Sequence, residues 1–284
     1  MTAPSVTARR ASRWRRDGSE SLWATVAMAI IGVIFLVPFV WLVLTSFKTH
    51  GSLKLGGGGP PTLHNFASVL HGDFLSSLGN SLYLGLGTMV ATTVLGTLAA
   101  YPLSRYRSRV QTWFVYGLAF LAALPIVALM IPTYDFFVSA NLINSKFWTV
   151  WFLTATSLPF ATWVGRSFID AVPRELEEAA WIDGNSRWGS LLRVVVPLII
   201  PGLCVIAVYT FVNAWSNFYI PLILLEGSNQ PAAVTIYGYF SQYGVNYGQV
   251  AAFAILYSLP PVLLYVLVTR WVGKGFALGG AIKG

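Results

Sequence analysis

The chain has one cysteine, three histidines and ten carboxylates among 284 residues, and each scarcity excludes something. Cys204 lies in an apolar run, so neither a disulfide framework nor a cysteine metal site can be built. Two of the three histidines sit in a loop rich in glycine and proline, and none has metal-ligand spacing. Lys274 follows Gly273, yet Val268 stands where the first glycine of a Gly-x-x-x-x-Gly-Lys phosphate loop is required. Candidate Ser, His and Asp residues are scattered along the chain with no triad grouping. Charged residues make up 10% of the chain, against roughly a quarter in average soluble domains. A soluble enzyme, a metalloprotein and a nucleotide hydrolase are therefore poor fits.

What is present is apolar. The sequence is 56% hydrophobic and 15% aromatic, with eleven tryptophans and a mean hydropathy of +0.66. The expected class is an all-α polytopic membrane protein. Six runs without charge are long enough to span a bilayer, at roughly 22–47, 78–104, 112–134, 147–165, 194–225 and 249–269. A seventh uncharged run, Gly227 to Gly248, holds Gln230, Pro231, Asn246, several glycines and tyrosines, and reads as a loop. Six spans with both termini cytoplasmic place fifteen of the eighteen basic residues inside, leaving Lys48, Lys54 and Lys146 outside. A net charge of +8 is then an orientation signal, with contact to anionic lipid, and nucleic acid is not needed to explain it. The arginine pairs before the first span faintly resemble a twin-arginine signal. The apolar run after them is too long for a cleaved peptide, so it reads as a retained membrane helix.

Within the second span Gly85, Met89 and Thr93 share one helical line and Gly96 and Ala100 another, which predicts close helix packing. Prolines recur in most spans, among them Pro38, Pro102, Pro125, Pro159, Pro201 and Pro260, and each favours a kink.

The polar exception is the inner loop around 166–193. Five of the ten carboxylates lie between Asp170 and Asp183. Pro173 suits the first helical position, Glu175, Glu177 and Glu178 suit the positive end of the helix dipole, and Gly184 is a natural stop. Asn185 or Ser186 can cap a second helix. Two readings of the first helix stay open on composition: a solvated helix with Glu178 paired to Arg174, or a surface that another protein approaches closely over Ala179 and Ala180.

The stretch "EAAWIDGNSRWGSLLRVVVP", Glu178 to Pro197, resembles the EAA loop of binding-protein-dependent ABC importer permeases. Glu178, Ala179, Ala180, Gly184 and Pro197 match that pattern, and Val194 and Val196 stand for its Ile and Leu. "IPTYDFF", "LPFATWVGRSF", "PLIIPGL", "AWSNFYIPLILL" and "GFALGGAIKG" extend the resemblance to the maltose-type carbohydrate branch. The resemblance implies six transmembrane helices with a cytoplasmic coupling helix that docks in a cleft of an ATPase, through Glu178, Ala179, Ala180, Asp183 and Gly184. It also implies that the tail, with Gly280 and Lys283, reaches the ATPases. ATP and Mg then belong to two partner ATPase subunits, and this chain carries no cofactor. The remaining implied partners are a second related permease and an extracytoplasmic sugar-binding protein, in the cell membrane. The implied organisation is a basic tail (1–21), a first helix with an outer loop (22–77), a permease core (78–272, loop about 170–197) and a cytoplasmic end (273–284).

For the substrate path, Tyr209, Asn213 and Asn217 share a face of span five, with Trp215 and Tyr219 nearby. Buried amides face either a path or another helix, and both readings stand. The family often has Trp-Asn-Glu-Phe where this chain has Trp215-Ser216-Asn217-Phe218. Outside the sugar reading stand a permease for another solute, such as a glycerol phosphate ester or polyol, and a stand-alone secondary transporter. The last would usually carry an ionisable residue within its spans, and the six runs have none.

Overall fold

A computed structural model describes the backbone of residues 6–49, 59–106, 108–241 and 244–280, with side chains from 22 to 270 within those stretches except near 241–244. The architecture is helical apart from a two-residue β-pair, Phe240–Ser241 with Gly244–Val245. In chain order the helices are α1 (Val6–Ser46), α2 (His64–His71), α3 (Phe74–Arg105), α4 (Arg109–Ala123), α5 (Ile126–Ser139), α6 (Lys146–Asp170) and α7 (Arg174–Ile182). There follow α8 (Arg187–Ser190), a π turn (Leu191–Val195), α9 (Val196–Leu198), α10 (Ile200–Trp215), α11 (Tyr219–Leu224), α12 (Ala232–Thr235) and α13 (Tyr247–Gly280).

The chain divides into two compact units, residues 1–68 with 245–255, and residues 69–244 with 256–284. In the first, the Asn65 amide donates to the carbonyls of Ser46 (2.8 Å) and Lys48 (2.9 Å), which satisfies the end of α1. Gly248 lets this amide approach, since a Cβ there would lie 2.5 Å from Asn65 Nδ2. No residue in the most apolar window of α1 is buried, as expected of a helix solvated by lipid.

The second unit is built on α3, α6 and α10. Small residues set the spacing. A Cβ on Gly96 would lie 2.7 Å from Ala161 Cβ, one on Gly165 would lie 3.1 Å from Ala100 Cβ, and one on Gly85 would lie 2.9 Å from the Phe211 ring. The line of Gly96 and Ala100 therefore seats α6, and Gly85 seats α10. Hydroxyls buried in these interfaces bond back to their own helices: Thr97 to Thr93, Thr154 to Val150, Ser157 to Leu153 and Thr210 to Ile206, at 2.7–2.8 Å. Among its described residues the seventh uncharged run, 227–248, forms only short turns and a β-pair before α13 begins. Its short helical turns are tied to α3, where the Asn80 amide donates to the carbonyls of Ser228 (2.7 Å) and Gln230 (3.0 Å) and accepts from Lys146 Nζ (2.9 Å).

Two predicted spans are broken rather than merely kinked. The run 112–134 is α4 and α5, meeting at 95°. Leu124 and Pro125 are both extended there, because a residue before proline is pushed out of the helical region and proline itself has no N–H to continue the ladder. The run 194–225 bends by 78° at Ile199, one residue before α10 starts with Pro201 in its first turn, and it breaks again after Trp215. Pro38, Pro102, Pro132, Pro159, Pro260 and Pro261, by contrast, lie within continuous helices. Among the described residues three helices are long and apolar enough to cross a membrane, and up to five if each bent pair counts as one. The 25-residue α6 is not among the three; its buried Thr149, Thr154, Ser157 and Thr162 lower its hydropathy while facing the protein.

Gly96→Leu should destabilise the bundle by about 1–3 kcal/mol through overpacking. Thermal melting of the purified protein in detergent checks this, with Gly117→Leu, where nothing lies within 4 Å, as the neutral control.

Candidate functional site

The loop between α6 and α10 folds as local chemistry dictates. Pro173 is extended and precedes α7 as its N-cap, one position earlier than the predicted N1. Glu175 and Glu177 follow in the first turn, at the positive end of the dipole. The helix stops at Gly184, which has φ +87°, a region open to glycine and costly for residues with a Cβ. Asn185 N–H donates to the Ala180 carbonyl (2.9 Å) and Gly184 N–H to the Trp181 carbonyl (3.0 Å), the paired bonds of a Schellman stop. Ser186 then caps α8 by accepting from Gly189 N–H at 3.1 Å.

The two faces of α7 are unlike. Inward, Glu177 is 1% exposed and Ala180 is buried. Arg105, the last residue of α3, donates through Nε to Glu177 Oε1 at 2.6 Å, and the Tyr101 hydroxyl donates to Oε2 at 2.7 Å. Arg105 also donates to the Val172 carbonyl (3.1 Å), and Ser104 donates to Asp170 Oδ1 (2.6 Å). Every charge taken out of water here has a partner, as burial requires. Outward, Leu176, Trp181 and Ile182 are exposed, Ile182 by 87%, and on α8 Trp188 is exposed by 65%. Glu175, Glu178, Ala179, Asp183 and Gly184 share that exposed side.

This corrects the sequence reading in three respects. Arg174 reaches the Ser104 carbonyl (3.3 Å) rather than Glu178. The paired carboxylate is Glu177, one residue earlier. Ala180 faces inward, so only Ala179 of the alanine pair is outside. Arg105 and Tyr101 were missed because the inner hairpin's arginines read as an orientation signal. A cation closing one helix, near a carboxylate-rich turn 70 residues on, was the available clue.

The span-five candidates separate. Asn213 and Asn217 line one cavity of about 620 Å³ together with Pro132, Thr133, Phe152 and Thr156. Asn217 lies beyond the end of α10, not on its face, and its Oδ1 accepts from Ile220 N–H at 3.1 Å. Tyr209 stacks on Phe160 at 3.8 Å and lines a second cavity of about 760 Å³ with Asn213, Cys204 and Tyr265. Trp215 lines neither. It is 3% exposed, stacked between Phe211 (5.4 Å) and Tyr257 (5.1 Å), and its carbonyl accepts from the Tyr257 hydroxyl at 2.6 Å. Tyr219 also lines neither cavity and is half exposed, edge-on to Phe218 at 5.4 Å. Gly280 closes α13, and Lys283 lies outside the described residues. Among the described residues no group of three or more His, Cys, Asp or Glu could hold a metal.

The model of the family "Binding-protein-dependent transport system inner membrane component" matches residues 92–277, a stretch that holds both the loop and the cavities. The chain belongs to this family. Among similar proteins is the sulfoquinovosyl glycerol transport system permease protein SmoH of Agrobacterium fabrum, 32% identical over 91% of this chain and 93% of the relative. The diacetylchitobiose uptake system permease protein DasC of Streptomyces coelicolor is 27% identical over 93% of this chain and 97% of its own. A chain in the crystal structure of a bacterial ABC transporter involved in import of the acidic polysaccharide alginate shares the fold, with TM-score 0.77 at 19% identity, over 95% of this chain and 99% of that one.

Glu177→Ala should cost about 3–5 kcal/mol, because it leaves Arg105 charged and unpaired in a buried site. The double change Arg105→Met with Glu177→Leu should recover most of that loss, since an apolar pair leaves no uncompensated charge. Thermal unfolding of the three variants checks both statements.

Proposed function

We propose that this chain is one of two permease subunits of an ATP-driven importer for a carbohydrate, a di- or oligosaccharide delivered by an extracytoplasmic binding protein. The observation that carries the reading is the two-sided α7. A clasped inner face is joined to an outer face of Ile182, Trp181 and Leu176, followed by Trp188 on α8, and all four are exposed among the described residues. Membership of a binding-protein-dependent inner-membrane transport family supports a partner for that surface, which in this reading is a cytoplasmic ATPase that binds ATP with Mg and hydrolyses the ATP. The carbohydrate class is supported by relatives named for diacetylchitobiose, arabinooligosaccharides and trehalose.

In this reading the chain crosses the membrane six times, by α1, α3, the α4–α5 pair, α6, α10 with α11, and α13. Both termini are cytoplasmic, and α7 is the coupling helix. Movement of a docked ATPase displaces α7. The Arg105–Glu177 clasp passes that displacement to α3, and the close α3–α6 contact passes it on to the cavity lined by Asn213 and Asn217. Alternating access follows from that motion, because the cavity opens on one side at a time. The two amides offer sugar hydroxyls both donors and acceptors, and Phe152 offers an aromatic wall.

Recovery of the tagged chain from its native membrane should bring with it a second permease and a nucleotide-binding subunit, identified by mass spectrometry. Recovery of the chain alone, from membranes that contain such ATPases, would sink the importer reading. Gly184→Val strains the φ +87° position by about 1–3 kcal/mol. It should abolish most uptake of labelled sugar while the ATPase subunits remain bound; normal uptake would count against the joint.

A further inference from the structure

Two arginines that take no part in the α7 clasp meet at one cavity. Arg109, in the first turn of α4, and Arg166, near the end of α6, line an open space of about 600 Å³ with Tyr106, Ser108, Gln111 and Thr112. No carboxylate is among its lining residues. Its neutral groups are largely committed already. Ser108 Oγ accepts from Gln111 N–H (3.2 Å), the Gln111 amide donates to the Pro102 carbonyl (3.2 Å), and the Thr112 hydroxyl donates to the Ser108 carbonyl (3.3 Å). What remains for a ligand is guanidinium. Among the described residues Arg109 has no ion pair, and Arg166 has only a partly exposed contact of 3.5 Å with Asp170, whose other oxygen Ser104 already holds. A third arginine, Arg187, donates to the Tyr106 hydroxyl at 2.5 Å and lies over its ring.

The wall beside this cavity is greasy. Helix α4 buries no residue, and it exposes Val110, Trp113, Phe114 and Tyr116 next to the arginines. A planar guanidinium pair suits the oxygens of a phosphate, and an apolar face with Trp and Tyr at its edge suits acyl chains at a membrane interface. We propose that Arg109 and Arg166 bind the phosphate oxyanion of an anionic phospholipid headgroup in the cytoplasmic leaflet, with the α4 face taking the chains. The inference rests on the inside placement of the α3–α4 hairpin proposed above. A free phosphate has the same headgroup chemistry but no use for the α4 face, and it is the alternative that the test separates.

The experiment uses the whole assembled transporter, exchanged from native membranes into detergent with phosphatidylglycerol or with phosphatidylcholine, and read by native mass spectrometry. The wild type should retain phosphatidylglycerol in preference to phosphatidylcholine, undisturbed by millimolar inorganic phosphate. Loss of both charges in Arg109→Gln with Arg166→Gln should weaken retention by about tenfold or more. Arg109→Gln alone, which removes an exposed side chain, should show part of the effect even where the double variant assembles poorly. Equal retention by the variants, or displacement of the lipid by inorganic phosphate, overturns the site. The same spectra count the partner subunits, so loss of the importer reading shows up separately, as spectra without an ATPase. A cysteine placed at Ser108 and labelled only from outside the cell would overturn the orientation, and with it the leaflet assigned here.

Discussion

The close approach of α3 and α6 is the constraint on which the other contacts depend. Lipid gives two helices no hydrophobic reason to associate, so the contact must be made by fit and by backbone proximity. Gly96 lies against Ala161 and Ala100 against Gly165 with no room for another carbon. Within that spacing Thr97, Thr154 and Ser157 turn back onto carbonyls of their own helices, while the buried hydroxyls of Thr88 and Thr92 on α3 have no bonded partner among the described residues. The spacing also brings the C-terminal ends of the two helices together. Arg105 at the end of α3 can then meet Glu177 just past α6, and Ser104 can meet Asp170.

The buried ion pair is a second-order consequence of that packing. A carboxylate 1% exposed beside an arginine is weak evidence for stability, because desolvation offsets much of the attraction. Its value lies in direction. Two hydrogen bonds from Arg105 and Tyr101 to the two oxygens of one carboxylate fix both the height and the rotation of α7. The outward residues therefore point away from the bundle as a set, and that surface is already formed in the chain by itself.

Much of this was legible in the sequence, and the losses have physical causes. Absence of charge locates the apolar segments, and the helical spacing of Gly96 and Ala100 gives the face that packs. The loop chemistry reads nearly residue by residue, since Gly184, Ser186 and the acidic first turn act locally. Failures came where a fact depends on partners far along the chain. Periodicity cannot say which of Glu177 and Glu178 faces inward, because Arg105 decides it. Nor can it tell a proline that kinks from one that breaks: Pro102 sits inside a continuous helix, whereas Pro125 stands at a right angle. In span five Asn217 lies past the last turn of α10 yet lines one cavity with Asn213. Tyr209 instead stacks on Phe160, and the nearby Trp215 is held between Phe211 and Tyr257, ring contacts that spacing along one helix does not reveal.

The 95° junction at Leu124 and Pro125 has a consequence for how form is determined in this chain. Helix α4 leaves that corner with none of its residues buried. Side-chain packing, the term that usually fixes an interhelical angle, is thus nearly absent on one arm of the joint. The orientation of that arm is held by few contacts within the polypeptide, chiefly the bond from Gln111 to the Pro102 carbonyl. One line of it, Gln111, Val115 and Leu118, is half-buried, and the remaining circumference is left to the surrounding medium, so a change of solvent acts on this arm before the other.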